Sequence, residues 1–194
     1  MATPSPAIPT FTDGVVVHQA DLNALGTNLT NLYNYNQAGF FTQRPTVLAK
    51  QTTTQSIAAS TNTLINFDTA VINTDTMWVA SVANQVTIQH AGIYFMFGEL
   101  RFPGQTGATL ANYFAVDILV NGTTPGTNSI CYTAGPMLNI TSALPLGFQA
   151  FGCANLAAGA TVYLNVSHNS GGAISTQVDR GNSFLGAVFL TPSS

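Results

Sequence analysis

Between Gly92 and Phe102 the sequence Gly-Ile-Tyr-Phe-Met-Phe-Gly-Glu-Leu-Arg-Phe is apolar on both sides of a strand. With a period of two, Ile93, Phe95 and Phe97 point one way, and Tyr94, Met96, Leu100 and Phe102 point the other. Both faces need cover. Helices would supply it in an α/β protein, but after Val47 the chain shows short strand-like runs, turn signals and no helical period. One face can pack on a second sheet; the other then calls for a neighbour outside the domain, most simply another copy of the chain. Tyr113 to Val120 and Phe184 to Leu190 repeat this two-faced character.

The same cadence predicts further strands at Thr46 to Gln51, Thr63 to Phe67, Gln85 to Gln89, Ser129 to Thr133, Ala143 to Phe151 and Thr161 to His168. Clusters of Asn, Asp, Gly, Pro and Ser separate them, which is the pattern of an all-β antiparallel sandwich or jelly roll. Asn121-Gly122 is a turn dipeptide, and the Thr-Pro-Gly that follows favours a longer loop over a two-residue hairpin.

The first 45 residues differ. Pro4, Pro6, Pro9 and Gly14 describe an extended arm without a core of its own. Leu22, Leu25, Leu29 and Leu32 then alternate spacings of three and four, predicting a short helix that Asp21 can start and Gly39 can end. Asn, Thr and Gly26 between the leucines form helix poorly, so the seam needs a partner. That partner is either two further copies in a three-stranded bundle or the chain's own β domain. Phe40 to Pro45 reads as a linker, giving an N-terminal arm, helix and linker at 1–45 and a β head at 46–194.

Composition sharpens the expectation of self-association. Charged residues make up 6% of the chain against about 25% in an average soluble protein, while 46% is hydrophobic. Solubility then rests on Thr, Asn, Ser and Gln, with much surface hidden in contacts. Four basic residues and a net charge of -3 exclude electrostatic binding of nucleic acid. No apolar run approaches the ~20 residues of a membrane span, and the opening Met-Ala-Thr-Pro-Ser-Pro lacks the basic and apolar regions of a secretory signal. Synthesis in a cytosol is expected. There, Cys131 and Cys153 read as free thiols rather than a disulfide, and the sequons at Asn28, Asn121, Asn139 and Asn165 as chance.

Catalytic signals are absent from the sequence: no Gly-x-Ser-x-Gly, no His-Glu-x-x-His and no Gly-Lys-Ser/Thr phosphate cradle. Ser167 and His168 are sent to opposite faces by alternation, and His90 sits at a turn. No enzyme activity and no cofactor are expected. In a trimer, three copies of His18, His90 or His168 could ligate a metal, but nothing singles one out. Glu99 and Arg101 continue the row of Ile93, Phe95 and Phe97, and can pair across a subunit boundary or with Asp117, or simply mark an exposed strand end.

Taken in order, Leu64-Ile65-Asn66-Phe67-Asp68, Asn73, Trp78, Val86-Thr87-Ile88, Gly92-Ile93-Tyr94-Phe95, Asn121-Gly122, Leu156-Ala157-Ala158-Gly159 and Phe184-Leu185-Gly186 resemble the complement C1q-like and tumour necrosis factor-like jelly roll. The resemblance implies ten short strands in two sheets and a tight homotrimer with aromatic residues along the threefold axis. Ala160 stands where the family often has Asp, and the calcium-binding carboxylates of some members have no counterpart. Asp13-Gly14-Val15-Val16-Val17 and Ala20-Asp21-Leu22-Asn23-Ala24-Leu25 resemble the N-terminal segment of many tailed-bacteriophage virion proteins, in which a short helix precedes a β head.

Together these readings give an all-β, C1q/TNF-like jelly-roll head with a short N-terminal arm and helix. The expected function is a homotrimeric capsid decoration protein, assembled in the host cytoplasm and displayed on the virion surface. Phe11, Val15, Leu22, Leu25, Leu29 and Leu32 would anchor it to the major capsid protein or another virion protein. Phe95, Phe97, Glu99, Arg101, Tyr113 and Phe184 would line the trimer interface. The alternative is a tail-associated adhesin whose loops, at 104–112, 121–128 and 169–182, bind a host surface sugar or protein.

Overall fold

The structure, a computed structural model, describes residues 23, 26, 27, 44–103, 113–136, 146–178 and 183–192. The chain divides into two compact units, Met1–Arg44 and Pro45–Ser194. In the first, Asn23, Gly26 and Thr27 are helical, and the Thr27 hydroxyl donates to the Asn23 carbonyl one turn back at 2.9 Å. Phe11, Val15, Leu22, Leu25, Leu29, Leu32 and His18 lie outside the described residues.

The second unit is an antiparallel jelly-roll sandwich. Its strands are β1 (Thr46–Lys50), β2 (Ser56–Ile57), β3 (Thr63–Leu64), β4 (Thr69–Asn73), β5 (Val86–Thr87), β6 (Gly92–Phe102), β7 (Tyr113–Val120), β8 (Ser129–Pro136), β9 (Leu146–Leu156), β10 (Thr161–His168), β11 (Ile174–Ser175) and β12 (Phe184–Thr191). One sheet has the order β4-β1-β12-β6-β9; the other runs β3-β10-β7-β8, with β5 also on β10. β11 and β2 form a small separate ladder.

β6 lies inside the first sheet, between β12 and β9, and its burial alternates along most of its length. Tyr94, Met96, Leu100 and Phe102 are fully buried and face the second sheet, which contributes Phe114, Val116 and Ile118 from β7 and Val162, Leu164 and Val166 from β10. Phe102 stacks on Phe114 with ring centroids 4.2 Å apart, joining the two layers. Gly98 interrupts the inward row because a Cβ there would lie 2.7 Å from a Leu164 methyl. Trp78 closes one edge of the core, held by Asn73, whose side chain accepts from the Trp78 N–H at 3.0 Å and donates to its carbonyl at 2.8 Å.

Two polar side chains, one buried and one at the surface, are structural. His168 is buried, with Nε2 3.0 Å from the Ile57 carbonyl and Nδ1 2.9 Å from the Ser170 hydroxyl. Asp68 gathers the N–H groups of Thr52 and Thr53 and the Thr52 hydroxyl at 2.7 to 2.9 Å. Burial would raise its carboxyl, but these hydrogen bonds and one from Thr69 hold it below the ordinary value.

Candidate functional site

Because side chains alternate, the register of the first sheet dictates which residues meet on its outer face. Ile72, Leu48, Gly186, Phe97 and Phe151 fall in one row crossing all five strands. Thr46, Val188, Phe95 and Cys153 make the next row, and Lys50, Phe184, Glu99 and Gln149 the row on the other side. Phe95 and Phe97 stack with centroids 5.7 Å apart, and Phe184 meets Phe97 edge-on at 6.0 Å. Gly186 makes the arrangement possible: a Cβ there would come within 2.4 Å of the Phe97 ring. Phe95, Phe97 and Phe184 are half-buried, while Phe151 is 65% exposed. This is a continuous aromatic and aliphatic surface facing away from the core.

One end of that surface is closed by charge. Arg101 pairs through Nε with Glu99 Oε1, and Gln149 Nε2 donates to Glu99 Oε2 at 2.9 Å. Glu99 is 6% exposed. The two residues lie on the same side of β6 two positions apart, so they meet within one chain. Within one chain, then, Arg101 meets Glu99 and not Asp117. Asp117 belongs to β7 in the other sheet, a placement that period-two alternation cannot reveal.

Tyr113 is also separated from its predicted companions. It starts β7 and lies on the outer side of the second sheet, with Ala115, Asp117 and Leu119. Phe95, Phe97, Glu99, Arg101 and Phe184 share the outer side of the first. Apolar character alone groups these strands together, whereas the sandwich sorts them by pairing partner.

On the second sheet, the loop from Asn121 to Asn128 folds back over β7. Asn121 is in a left-handed conformation with φ of 55°, and its side chain accepts from the Thr161 N–H at 3.0 Å, tying the loop to β10. Ser129, at the end of the loop, accepts from the Gly126 N–H at 2.9 Å and donates to Asp117 Oδ1 at 3.0 Å. Asn165, opposite Asp117 in the β10 register, donates to Oδ2 at 3.4 Å. Asp117 is 3% exposed, and it forms part of the lining of an open pocket of about 310 Å³ with Asn62, Tyr113, Ser129, Tyr132 and Ser167. Pro125 and Gly126 of the loop form one wall.

The pocket was not predicted as a unit. Its residues are spread from Asn62 to Ser167, and the one local signal is Asp117, a lone charge within the apolar run Phe114 to Val120. The histidines supply no competing site. His168 is engaged at both ring nitrogens, and His90 lies 3.5 Å from Asp75 at the surface. Among the described residues no group of three His, Cys, Asp or Glu side chains is arranged to hold a metal. Cys131 is half-buried, and burial pushes its thiol up; Cys153 is exposed, and both thiols are free.

No family model and no curated protein matches the chain. Among solved structures, murine APRIL at pH 8.0 is 15% identical and superimposes with a TM-score of 0.53, covering 76% of this chain and all of that one. Eiger TNF from S. frugiperda is 14% identical with a TM-score of 0.50, covering 78% of this chain and 95% of that one. The head has the tumour necrosis factor-like jelly-roll fold. At this identity the likeness concerns the path of the chain, and the apolar face and the pocket are features of these residues.

Proposed function

We propose that the chain is a homotrimeric structural protein of a bacteriophage particle, a decoration protein whose heads share one apolar core and whose N-terminal residues grip the shell. The row Ile72–Leu48–Gly186–Phe97–Phe151 carries this reading. Aromatic and aliphatic surface that crosses a whole sheet is costly to leave in water, and burial in a closed assembly stabilises it by about 25 cal/mol for each Å² removed. The threefold order follows from the resemblance to the C1q/TNF-like jelly roll. The virion role rests on the likeness of residues 13–25 to the leading segments of phage virion proteins, with Phe11, Val15 and the leucines of 22–32 as anchors. Three anchors on one head would raise the effective concentration of each at the shell.

In this reading the chain is not an enzyme, and its work is mechanical. Antibody labelling and quantitative mass spectrometry of purified particles test it. A copy number comparable to that of the shell subunit supports decoration; a handful of copies at the tail tip would replace it with the adhesin.

A further inference from the structure

The pocket on the second sheet has a chemistry that self-assembly does not explain. Asp117 sits at 3% exposure, and none of the described side chains lining the pocket is basic. A carboxylate offers about four acceptor positions. The structure fills one with the Ser129 hydroxyl at 3.0 Å and a second with the Asn165 amide at a long 3.4 Å. Asn165 is fully buried, and its Oδ1 has no hydrogen-bond partner among the described residues. Turning that amide over would set its oxygen against the carboxylate, so the assignment is fixed by its neighbour. Asn165 lies behind the pocket and not in its lining, so what faces the pocket is the remaining acceptor capacity of Asp117, and a ligand that uses it must bring donors.

The rest of the lining narrows the class. Ser129, Ser167 and the two tyrosines present hydroxyls and Asn62 an amide, groups that both donate and accept. An anion is opposed by Asp117. A metal ion would find one carboxylate where a hard cation takes six or more oxygens, about a full shell. The rings of Tyr113 and Tyr132, 41% and 61% exposed, supply flat apolar surface next to these polar groups. A pocket of about 310 Å³ lies at the small end of the ~300–1,000 Å³ range of ligand sites.

We propose that this pocket binds a neutral saccharide: Asp117 accepts from ring hydroxyls, Ser167 and Asn62 bond their neighbours, and Tyr113 and Tyr132 cover the C–H face. The loop is already pinned through Asn121 and Ser129, so little ordering is required on binding. The site belongs to a single subunit and lies on the opposite sheet from the apolar face. It does not depend on the protein's place in a particle.

Saturation-transfer NMR on the full chain tests the assignment, using glucose, galactose, mannose, N-acetylglucosamine and their β-1,4-linked dimers. Sialic acid and putrescine serve as the anionic and cationic comparisons. At least one neutral sugar is expected to show transfer to its ring protons, with sialic acid and putrescine silent. Tyr132→Ala, at a side chain mostly in solvent, is expected to weaken that binding at least tenfold with the melting temperature unchanged. Asp117→Asn, which keeps the size of the group, is expected to weaken it similarly. Silence from every neutral sugar, full binding in Tyr132→Ala, or stronger transfer to putrescine overturns the proposal. Oligomeric mass is a separate reading, so failure here is distinguishable from failure of the trimer.

Discussion

β6 and β7 carry comparable apolar runs, yet the outer sides of the two strands meet different fates. On β6, Phe95 and Phe97 remain half-exposed beside Phe151 and Phe184. On β7, Ala115, Asp117 and Leu119 are buried by their own chain, under the loop from Asn121 to Asn128 and alongside β10 and β8. A two-faced strand is therefore not by itself a sign of a partner. What distinguishes the surfaces is cover: on β7 the chain itself buries Ala115, Asp117 and Leu119 and leaves only Tyr113 partly in solvent, whereas β6 turns out phenyl rings that only another apolar surface can cover.

Substitutions on opposite sides of β6 should break this contrast most sharply. Phe102→Ala, on the inner side, is expected to cost about 3–5 kcal/mol by leaving a cavity beside Phe114, read as a lower denaturation midpoint. Phe97→Glu, on the outer side, should leave circular dichroism and the subunit fold intact while abolishing the oligomer. Unfolding by the second substitution, or no effect on mass, would erase the distinction between the faces.

Arg101→Ala probes the end of the apolar face. Glu99 would keep its Gln149 bond but lose its charge partner at 6% exposure, so a loss of about 1–3 kcal/mol is expected together with easier dissociation in denaturant. An unchanged dissociation profile would confine the pair to a local role.

A smaller effect is expected at Tyr94, whose hydroxyl donates to the His90 carbonyl at 2.9 Å. Burial, followed by the charge of Asp75, pushes its pKa up to about 12. The stabilisation is complete below the unfolded value near 10 and is lost as pH rises through 12. Tyr94→Phe should cost about 1 kcal/mol at neutral pH and flatten the alkaline limb of the stability profile. At the acid end, the lowered Asp68 carboxyl contributes stability above its ordinary value that falls away as pH drops through the folded one. Asp68→Asn should flatten that limb, measured by melting temperature against pH.

The strands most legible in the sequence were those whose identity is local. β6, β7 and β10 were bounded correctly by strong apolar periodicity and flanking turn residues. β4 was missed because Thr69 to Asn73 is short and sits among Asp and Thr, and β2 and β11 because two residues carry no period. β9 was expected to stop at Phe151, but its ladder with β6 carries it to Leu156. β8 likewise runs past Thr133 to Gly135 and Pro136, which read as a turn in isolation and are tolerated at a sheet edge. The aromatic face was legible as alternation along β6, whereas its continuation into Leu48, Ile72 and Phe151 required the register. The pocket was beyond reach for the same reason: Asp117 meets Ser129 and Asn165 only through strand order.

Whether the outer aromatic face closes on further copies is read from the molar mass of the purified chain in solution, by light scattering at several concentrations. Three times the subunit mass of 20.3 kDa is expected, falling to one subunit in Phe97→Glu. A stable single subunit at every concentration, with the outer aromatic face left in water, would contradict it.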